Sequence, residues 1–322
     1  MGHRQMTELY CNNEAPQLFE CKVDRIHTSM EPDYLPHADG IVIAGQDLLR
    51  AAGYLPGMAC PPFWKPAETG KFMRPRLCKT GNKLWHFPGL HVDTNLTVAG
   101  HRLFGGSGYN GNAIFCLNIN NGEPFWRKPV DLPCFASPTR TGECVIFGLG
   151  NGDFINSDEN PAGAVLCVSV KTGDLIWRFD VPDAVHGKPP VDRYHIYFGS
   201  RDGFCYCLDK QTGELVWKQS LDSPVVASVV LARCPHCGNC TGLYAAGSGG
   251  KVACLGANSG QVNWTLDVSR HSQTQAQLLA TPALVMEVDD SGQRFLYLGA
   301  GLTSPLNSSA VLFCLQDELV EH

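Results

Sequence analysis

The segment Cys234-Pro-His236-Cys237-Gly-Asn-Cys240 sets three thiols at intervals of three residues around a turn. Thiolates spaced this way converge on one tetrahedral ion, and a glycine after the second lets backbone amides face sulfur. This is the chemistry of a structural zinc knuckle, with Cys234, Cys237 and Cys240 as ligands and His236 or a distant group as the fourth. Most zinc sites pair two knuckles, and this chain has one. The plainer alternatives are a reduced hairpin insertion, or a local disulfide if the protein is exported.

A second constellation is the oxygen-rich run GNGDFINSDENPAG, carrying Asp153, Asn156, Asp158, Glu159 and Asn160. Hard cations such as calcium take several carboxylate and carbonyl oxygens from a loop of this kind. The spacing is not that of an EF-hand, and the alternative is an ordinary polar loop. A third set is scattered: His86, His91, Asp93 and Asn95 in WHFPGLHVDTN, with His186, Lys188, Arg201 and Asp202 further on. These either converge on a polar ligand or stand apart, each bonded to its own turn. No Gly-x-Ser-x-Gly elbow offers a strained nucleophile.

What positions these groups is a repeat. Five of six tryptophans end one six-residue signature: TGNKLW at Trp85, NGEPFW at Trp126, TGDLIW at Trp177, TGELVW at Trp217 and SGQVNW at Trp264. The glycines at 81, 122, 173, 213 and 260 are 41, 51, 40 and 47 residues apart. A period of 40 to 50 residues with strand-like content predicts the blades of a β-propeller. Cys116, Cys167, Cys207 and Cys254 each lie six residues before a signature glycine. One strand earlier, apolar runs close on Gly45, Gly105, Gly148, Gly199, Gly247 and Gly299.

Each unit therefore reads as four strands: an inner one near motifs such as Ser137-Pro138 or Thr281-Pro282, the run ending in Gly, the Cys strand and an outer Trp strand. The turn glycine accepts a positive backbone angle. Trp covers the neighbouring blade and keeps its ring nitrogen for a partner at the rim. The small Cys faces a contact between sheets.

The N-terminus carries a degraded unit, with Cys11 in the place of the Cys strand and Phe19 where Trp is expected. The C-terminus stops after Cys314 with no outer strand. An N-terminal outer strand around Gln17 to Val23 would complete the last blade and cover its edge, giving six blades. The alternative is a fragment of a seven- or eight-bladed ring. One domain spans 1–322, with an insertion at 46–75 and a Cys-rich hairpin at 233–241. The longer connections, Gln46 to Phe72, Leu149 to Ala162 and Ala300 to Ser309, are expected between second and third strands. That would concentrate length variation, and hence binding, on one face. The Pro-rich stretch from Pro56 to Pro75, with Trp64 outside the repeat, reads as an ordered insertion.

Composition fits one all-β unit: 322 residues, 44% hydrophobic, 34 Gly and 17% charged. With a net charge of -6 and dispersed Lys and Arg, nucleic-acid binding is not expected. No stretch has the length of a membrane-spanning helix, and the N-terminus lacks the apolar core of a signal peptide. Fifteen Cys point to reduced thiols and a cytoplasmic location. A truncated N-terminus would leave the periplasm or cell envelope as the alternative.

Units such as FGSRDGFCYCLDKQTGELVW and YAAGSGGKVACLGANSGQVNW resemble the repeat of PQQ-like propellers, most strongly over residues 80 to 315. That superfamily includes quinoprotein alcohol dehydrogenases and the outer-membrane assembly lipoprotein BamB, and stand-alone bacterial members are the nearest in pattern. The enzyme branch implies a quinone, PQQ, stacked on a disulfide between adjacent cysteines, with calcium and a catalytic Asp. Under that reading His91, Asp93, Arg201 and Asp202 would hold the cofactor, with Asp153 near the calcium. This sequence departs from it: there is no Cys-Cys dipeptide, and Tyr206 separates Cys205 from Cys207. The favoured expectation is a non-catalytic platform for a protein or peptide partner, with the dehydrogenase as the alternative.

Overall fold

The computed structural model describes residues 92, 94–108, 111–233, 240–272, 275–279, 281–286, 293–303 and 308–321, with the strands at 9–11, 17–21, 41–45, 48–52 and 83–88. In chain order, β1 (Leu9–Cys11) and β2 (Gln17–Cys21) come first. One sheet follows from β3 (Ile41–Gly45), β4 (Leu48–Ala52) and β5 (Lys83–Pro88), and the next from β6 (Thr97–Ala99), β7 (Arg102–Gly106), β8 (Ala113–Asn118) and β9 (Pro124–Pro129). Then come β10 (Thr139–Thr141), β11 (Cys144–Gly150), β12 (Gly163–Ser169) and β13 (Leu175–Val181), and a three-stranded sheet of β14 (His195–Gly199), β15 (Phe204–Asp209) and β16 (Leu215–Ser220). The fifth sheet holds β17 (Val230–Arg233), β18 (Cys240–Ala246), β19 (Lys251–Leu255) and β20 (Val262–Asp267), followed by the short α1 (Val268–Ser272). Finally β21 (Gln275–Gln277), β22 (Ala283–Met286), β23 (Gln293–Thr303) and β24 (Ser308–Glu321) pair together, and both β1 and β2 add to β24.

These antiparallel meanders are the blades of a β-propeller, and the described strands group into six sheets. Second and third strands are buried on both faces, which is why they read as unbroken apolar runs rather than alternating ones. Successive residues go to opposite neighbours. Val145 and Phe147 of β11 pack with Phe104 and Cys116 of the preceding sheet, whereas Ile146 packs with Ile196 and Phe198 of the following one. The core is thus a series of slabs, one per seam between sheets.

Each interior seam is fastened at the rim. Cys116, Cys167, Cys207 and Cys254 pair with Trp126, Trp177, Trp217 and Trp264, and the register shifts immediately after each Cys. The indole N–H of Trp85 donates to Ile119 O (2.8 Å), that of Trp126 to Val170 O (3.0 Å), that of Trp177 to Lys210 O (3.1 Å) and that of Trp217 to Ala257 O (3.0 Å). Every acceptor sits in the signature turn of the next sheet. The turn glycine there has φ of 69–76° and lies under the ring, so that a Cβ on Gly213 would meet Trp177 at 2.6 Å. Glycine is required twice over, by its backbone angle and by the ring above it.

A second fastening runs around the hub. Thr97 Oγ1 donates to Pro138 O (2.5 Å) and Thr139 Oγ1 to Pro189 O (2.6 Å). Lys188 N then donates to Ser228 Oγ (2.7 Å), and Ser228 N to Thr281 Oγ1 (3.2 Å). In the fourth sheet the inner strand shrinks to a single bridge, Val191 with Ile196, because Pro189 and Pro190 offer no N–H to a ladder.

The expected closure by an N-terminal strand is present: β2 pairs with β24, and Phe19 stands opposite Cys314 as each Trp stands opposite its Cys. Cys11 does not occupy a Cys strand of its own; β1 pairs with the far end of β24, Cys11 facing Leu319. Two loop assignments need correction. Leu48–Ala52 is a strand, with Gly45 opposite Leu48, so the expected insertion at 46–75 does not join second and third strands. The long connection falls between β4 and β5, because Trp85's strand needs β4 as its ladder partner. Ala300 to Ser309 is mainly an elongated hairpin, paired out to Thr303 with Ser308, rather than a loop. The Pro-rich stretch lies outside the described residues.

Candidate binding face around Arg201

The connection from β11 to β12, residues 151–162, is the long loop that stands where the sequence placed it. It builds itself from its own polar atoms. Asp153 Oδ1 accepts the amides of Ile155 (2.6 Å) and Asn156 (2.5 Å), and Asn151 Oδ1 accepts Ala162 N (2.7 Å). Asp158 Oδ1 accepts Asn160 N (3.0 Å). These are side-chain turns of the Asx kind. The amides of Asn156 and Ile155 hold the Asp153 carboxyl below the usual carboxylate range.

Arg201, from the connection between β14 and β15, reaches back across the seam to pin this loop. Its Nη2 donates to Ile155 O (2.9 Å), and both Nε and Nη2 reach Ser157 Oγ at 3.4 Å. Ser157 Oγ in turn donates to Asp183 Oδ2 (2.5 Å), which lies 3.8 Å from Arg201 Nε. Asp183 itself is fixed from below, its carbonyl accepting Ser200 Oγ (3.0 Å) while Arg201 N donates to Ala184 O (3.0 Å). Arg201 and Asp183 are only 7% and 6% exposed, so removing either partner would strand a buried charge.

Beside this anchor, the ring of His186 meets Phe154 (centroids 4.7 Å) and Phe135 (5.5 Å), and those two rings also touch each other (6.2 Å), so the three form a triangular cluster. It is 5% exposed, and neither Nδ1 nor Nε2 has a hydrogen-bond partner among the described residues. Burial first, and Arg201 second, push its pKa down to about 4, so the imidazole is neutral at pH 7. Above it the loop tip turns apolar side chains to solvent: Phe154 is 43% and Ile155 66% exposed.

Of the residues singled out by sequence, Arg201, His186 and Asp153 come together here, and Asp158 lies on the same loop. Asp202 turns to its own sheet, taking the Tyr206 hydroxyl and Phe204 N. Burial and that bond raise the Tyr206 pKa. Lys188 and Asn95 instead line a hub cavity of about 520 Å3, with Thr97, Thr139, Ser228 and Thr281. His91, Asp93, Cys234, His236 and Cys237 lie outside the described residues, and Cys240 is described only as the first residue of β18, opposite Arg233. Among the described residues no group of three His, Cys, Asp or Glu side chains gathers as a metal site would require. Sequence reading missed Asp183, Ser157, Phe135 and Phe154. Asp183 sits in VPDAVHGKPP, where a carboxylate three residues before His186 was the available signal.

A quinone cradle is a poor fit to these residues. Cys205 and Cys207 are buried free thiols, both pushed up to about 12 chiefly by burial, and Arg201 is spent on the loop.

A family model described as outer membrane protein assembly factor BamB matches residues 161–299. The outer membrane protein assembly factor BamB of Burkholderia pseudomallei (strain K96243) is 24% identical over 199 residues, covering 48% of this chain and 52% of that protein. The chain thus spans about half the length of the curated relative it matches. Among solved structures, BamB from Moraxella catarrhalis superposes with a TM-score of 0.53 at 13% identity, over 95% of this chain and 99% of that one. Quinohemoprotein alcohol dehydrogenase from Comamonas testosteroni gives 0.56 at 12% identity, over 93% of this chain and 54% of that one. At such identities the structural likeness shows the fold alone. The chain is a β-propeller of PQQ-like repeats. Among the described residues no helix is long and apolar enough to cross a membrane.

Proposed function

We propose that this propeller is a non-catalytic scaffold that engages a protein or peptide partner through the face carrying residues 151–162. The observation that carries the reading is the pairing of an exposed apolar tip, Phe154 and Ile155, with a buried Arg201–Asp183 anchor that holds the tip in place. Exposed apolar pairs also occur on outer strands, at Leu175 and Ile176 and at Leu215 and Val216, and what sets this tip apart is the buried Arg201–Asp183 pair that holds it. The name of the Burkholderia relative, an assembly factor of the outer membrane, supports a protein partner. It favours the cell envelope over the cytoplasm expected from the thiols.

A photo-crosslinking residue placed at Ile155 should yield a product with one protein, identified by mass spectrometry, in cells that express the chain. The same residue at Thr172, in the signature turn between β12 and β13, should yield none. Equal labelling at both positions, or none at either, overturns the reading. The quinoprotein alternative draws only on shared fold, and Arg201 and the separated thiols weigh against it. The proposed zinc at Cys234, Cys237, Cys240 and His236 would staple the hairpin joining β17 to β18. Metal analysis should find one zinc per chain, lost on Cys237→Ser; a metal-free wild-type chain removes the proposal.

A further inference from the structure

The hub cavity of about 520 Å3 is lined by one sequence position taken from each of five sheets. Asn95, Ser137, Ser228 and Thr281 each lie two residues before the inner strand of their sheet, β6, β10, β17 and β22. Lys188 holds the same place in the fourth sheet: Pro189, which follows it, accepts Thr139 Oγ1 just as Pro138, which follows Ser137, accepts Thr97 Oγ1. The propeller thus sets a ring of polar side chains around its hub, and the chemistry of that ring is one-sided. Lys188 is the one cation in the lining, no carboxylate lines it, and Lys188 has no ion pair among the described residues. Ser228 Oγ accepts Lys188 N (2.7 Å) and Thr281 Oγ1 accepts Ser228 N (3.2 Å). Each bond uses an oxygen lone pair and leaves the O–H without an acceptor among the described residues. The Ser137 hydroxyl, on the same lining, has no partner among them either. A cation and idle O–H donors on one cavity wall complement an oxyanion, and a wall carrying one sign of charge concentrates its field. Half-buried Leu96, Val230 and Leu231 form an apolar part of the same wall. The volume lies within the roughly 300–1,000 Å3 of small-molecule sites, so there is room for more than the anionic group.

We propose that the hub cavity binds an organic monoanion, one carboxylate on a compact apolar body. The carboxylate sits against Lys188 and takes O–H bonds from Ser137, Ser228 and Thr281, while the body lies on Leu96, Val230 and Leu231. One cation balances one carboxylate, whereas a phosphate, with more than one charge at pH 7, would leave charge unpaired inside the wall. Such a carboxylate can arrive on a free small acid or as the C-terminus of a peptide ending in an aliphatic residue. The cavity shares no side chain with the Phe154 and Ile155 tip, so this site stands or falls apart from the loop face.

Isothermal titration calorimetry on the whole chain tests this with isocaproate against its neutral amide, and with an acetylated Gly-Gly-Ala-Leu peptide whose C-terminus is free or amidated. Isocaproate should bind roughly tenfold more tightly than the amide. Lys188→Gln should weaken it about tenfold and flatten its dependence on salt. Ser137→Ala, which removes an O–H that holds nothing in the fold, should weaken it about threefold. Lys188 is exposed and Ser137 half-buried, and an unchanged thermal midpoint identifies both variants as folded. A free-ended peptide that binds more tightly than isocaproate makes a C-terminus the source, and isocaproate binding as tightly or better makes it a free acid; either result supports the site. Equal binding of acid and amide, no binding of isocaproate or of the free-ended peptide, or a Kd unaltered by Lys188→Gln overturns it. So does inorganic phosphate binding as tightly as isocaproate, since the hub would then select no carboxylate.

Discussion

The four seams fastened by Trp85, Trp126, Trp177 and Trp217 differ from the one fastened by Trp264. In the first four, the indole N–H meets a carbonyl three residues past the next Cys, inside a tight turn that presents glycine to the ring. Trp264 is equally buried, at 4% exposure, yet its Nε1 has no acceptor among the described residues. Three residues past Cys314 lies Asp317, and there β24 runs straight on, paired with Arg294, instead of turning. The outer strand of that sheet comes from β2. Closing a ring with the other end of the chain removes the turn on which the rim fastening depends. A seam can therefore keep its apolar slab, with Trp264 among Leu296, Leu298 and Phe313, and still lose its polar lock.

The sharpest way to break this comparison is truncation. Trp177→Ala removes slab and lock together and should cost about 3–5 kcal/mol in denaturant unfolding. Trp264→Ala should cost about 1 kcal/mol less, and equal losses would mean the lock contributes nothing. Acid should loosen an interior seam selectively. His186 has a folded pKa of about 4 against an ordinary 6.5, so the unfolded chain binds its proton first as pH falls. Stability is full above about 6.5 and declines as pH drops towards 4, by roughly 3 kcal/mol in all. The charged groups facing the ring are Arg201, Asp183 and Asp153. His186→Phe should flatten the profile; an unchanged slope between pH 6.5 and 4 refutes the assignment. Gly213→Ala adds a Cβ under Trp177 at φ of 76° and should cost about 1–2 kcal/mol before any displacement of the ring. The finest discrimination comes from Trp→Phe at the two sites: each loses the five-membered ring, and Trp177 should lose about 1 kcal/mol more than Trp264 because it alone gives up a hydrogen bond. A similar loss at both sites would show that Trp264 finds an acceptor in solution.

The repeat was legible because the rim imposes residue identity: a ring needs Trp, the turn beneath it needs Gly, and the pair recurs at a fixed offset from Cys. Phe19 reads in sequence as a stand-in for Trp after Cys11, and its strand pairs instead with Cys314. β4 was missed because LLRAA carries neither Cys nor a signature turn, and its length vanished into the Pro-rich stretch after it. The loop site was only half visible. Arg201 and Asp153 stand out as charged residues, but what unites them is Asp183 and Ser157 approaching across a seam, and contacts between residues 44 and 46 apart leave no periodic trace. Phe135 and Phe154 carry no signal in the sequence, since only the fold brings their rings together with His186.

The rim fastening also has a direction. Trp126 finds its acceptor 44 residues later in the chain and Trp217 its acceptor 40 later, always on the C-terminal side. During synthesis at about 5–20 residues per second, each new blade therefore waits roughly 2–8 s, indole uncovered, for the segment that will cap it. β2 waits longest, because Phe19 pairs with Cys314, about 295 residues further along the chain. A ribosome pause within a signature turn would prolong one blade's exposure, whereas a delay anywhere prolongs that of β2, the strand with most reason to need a chaperone.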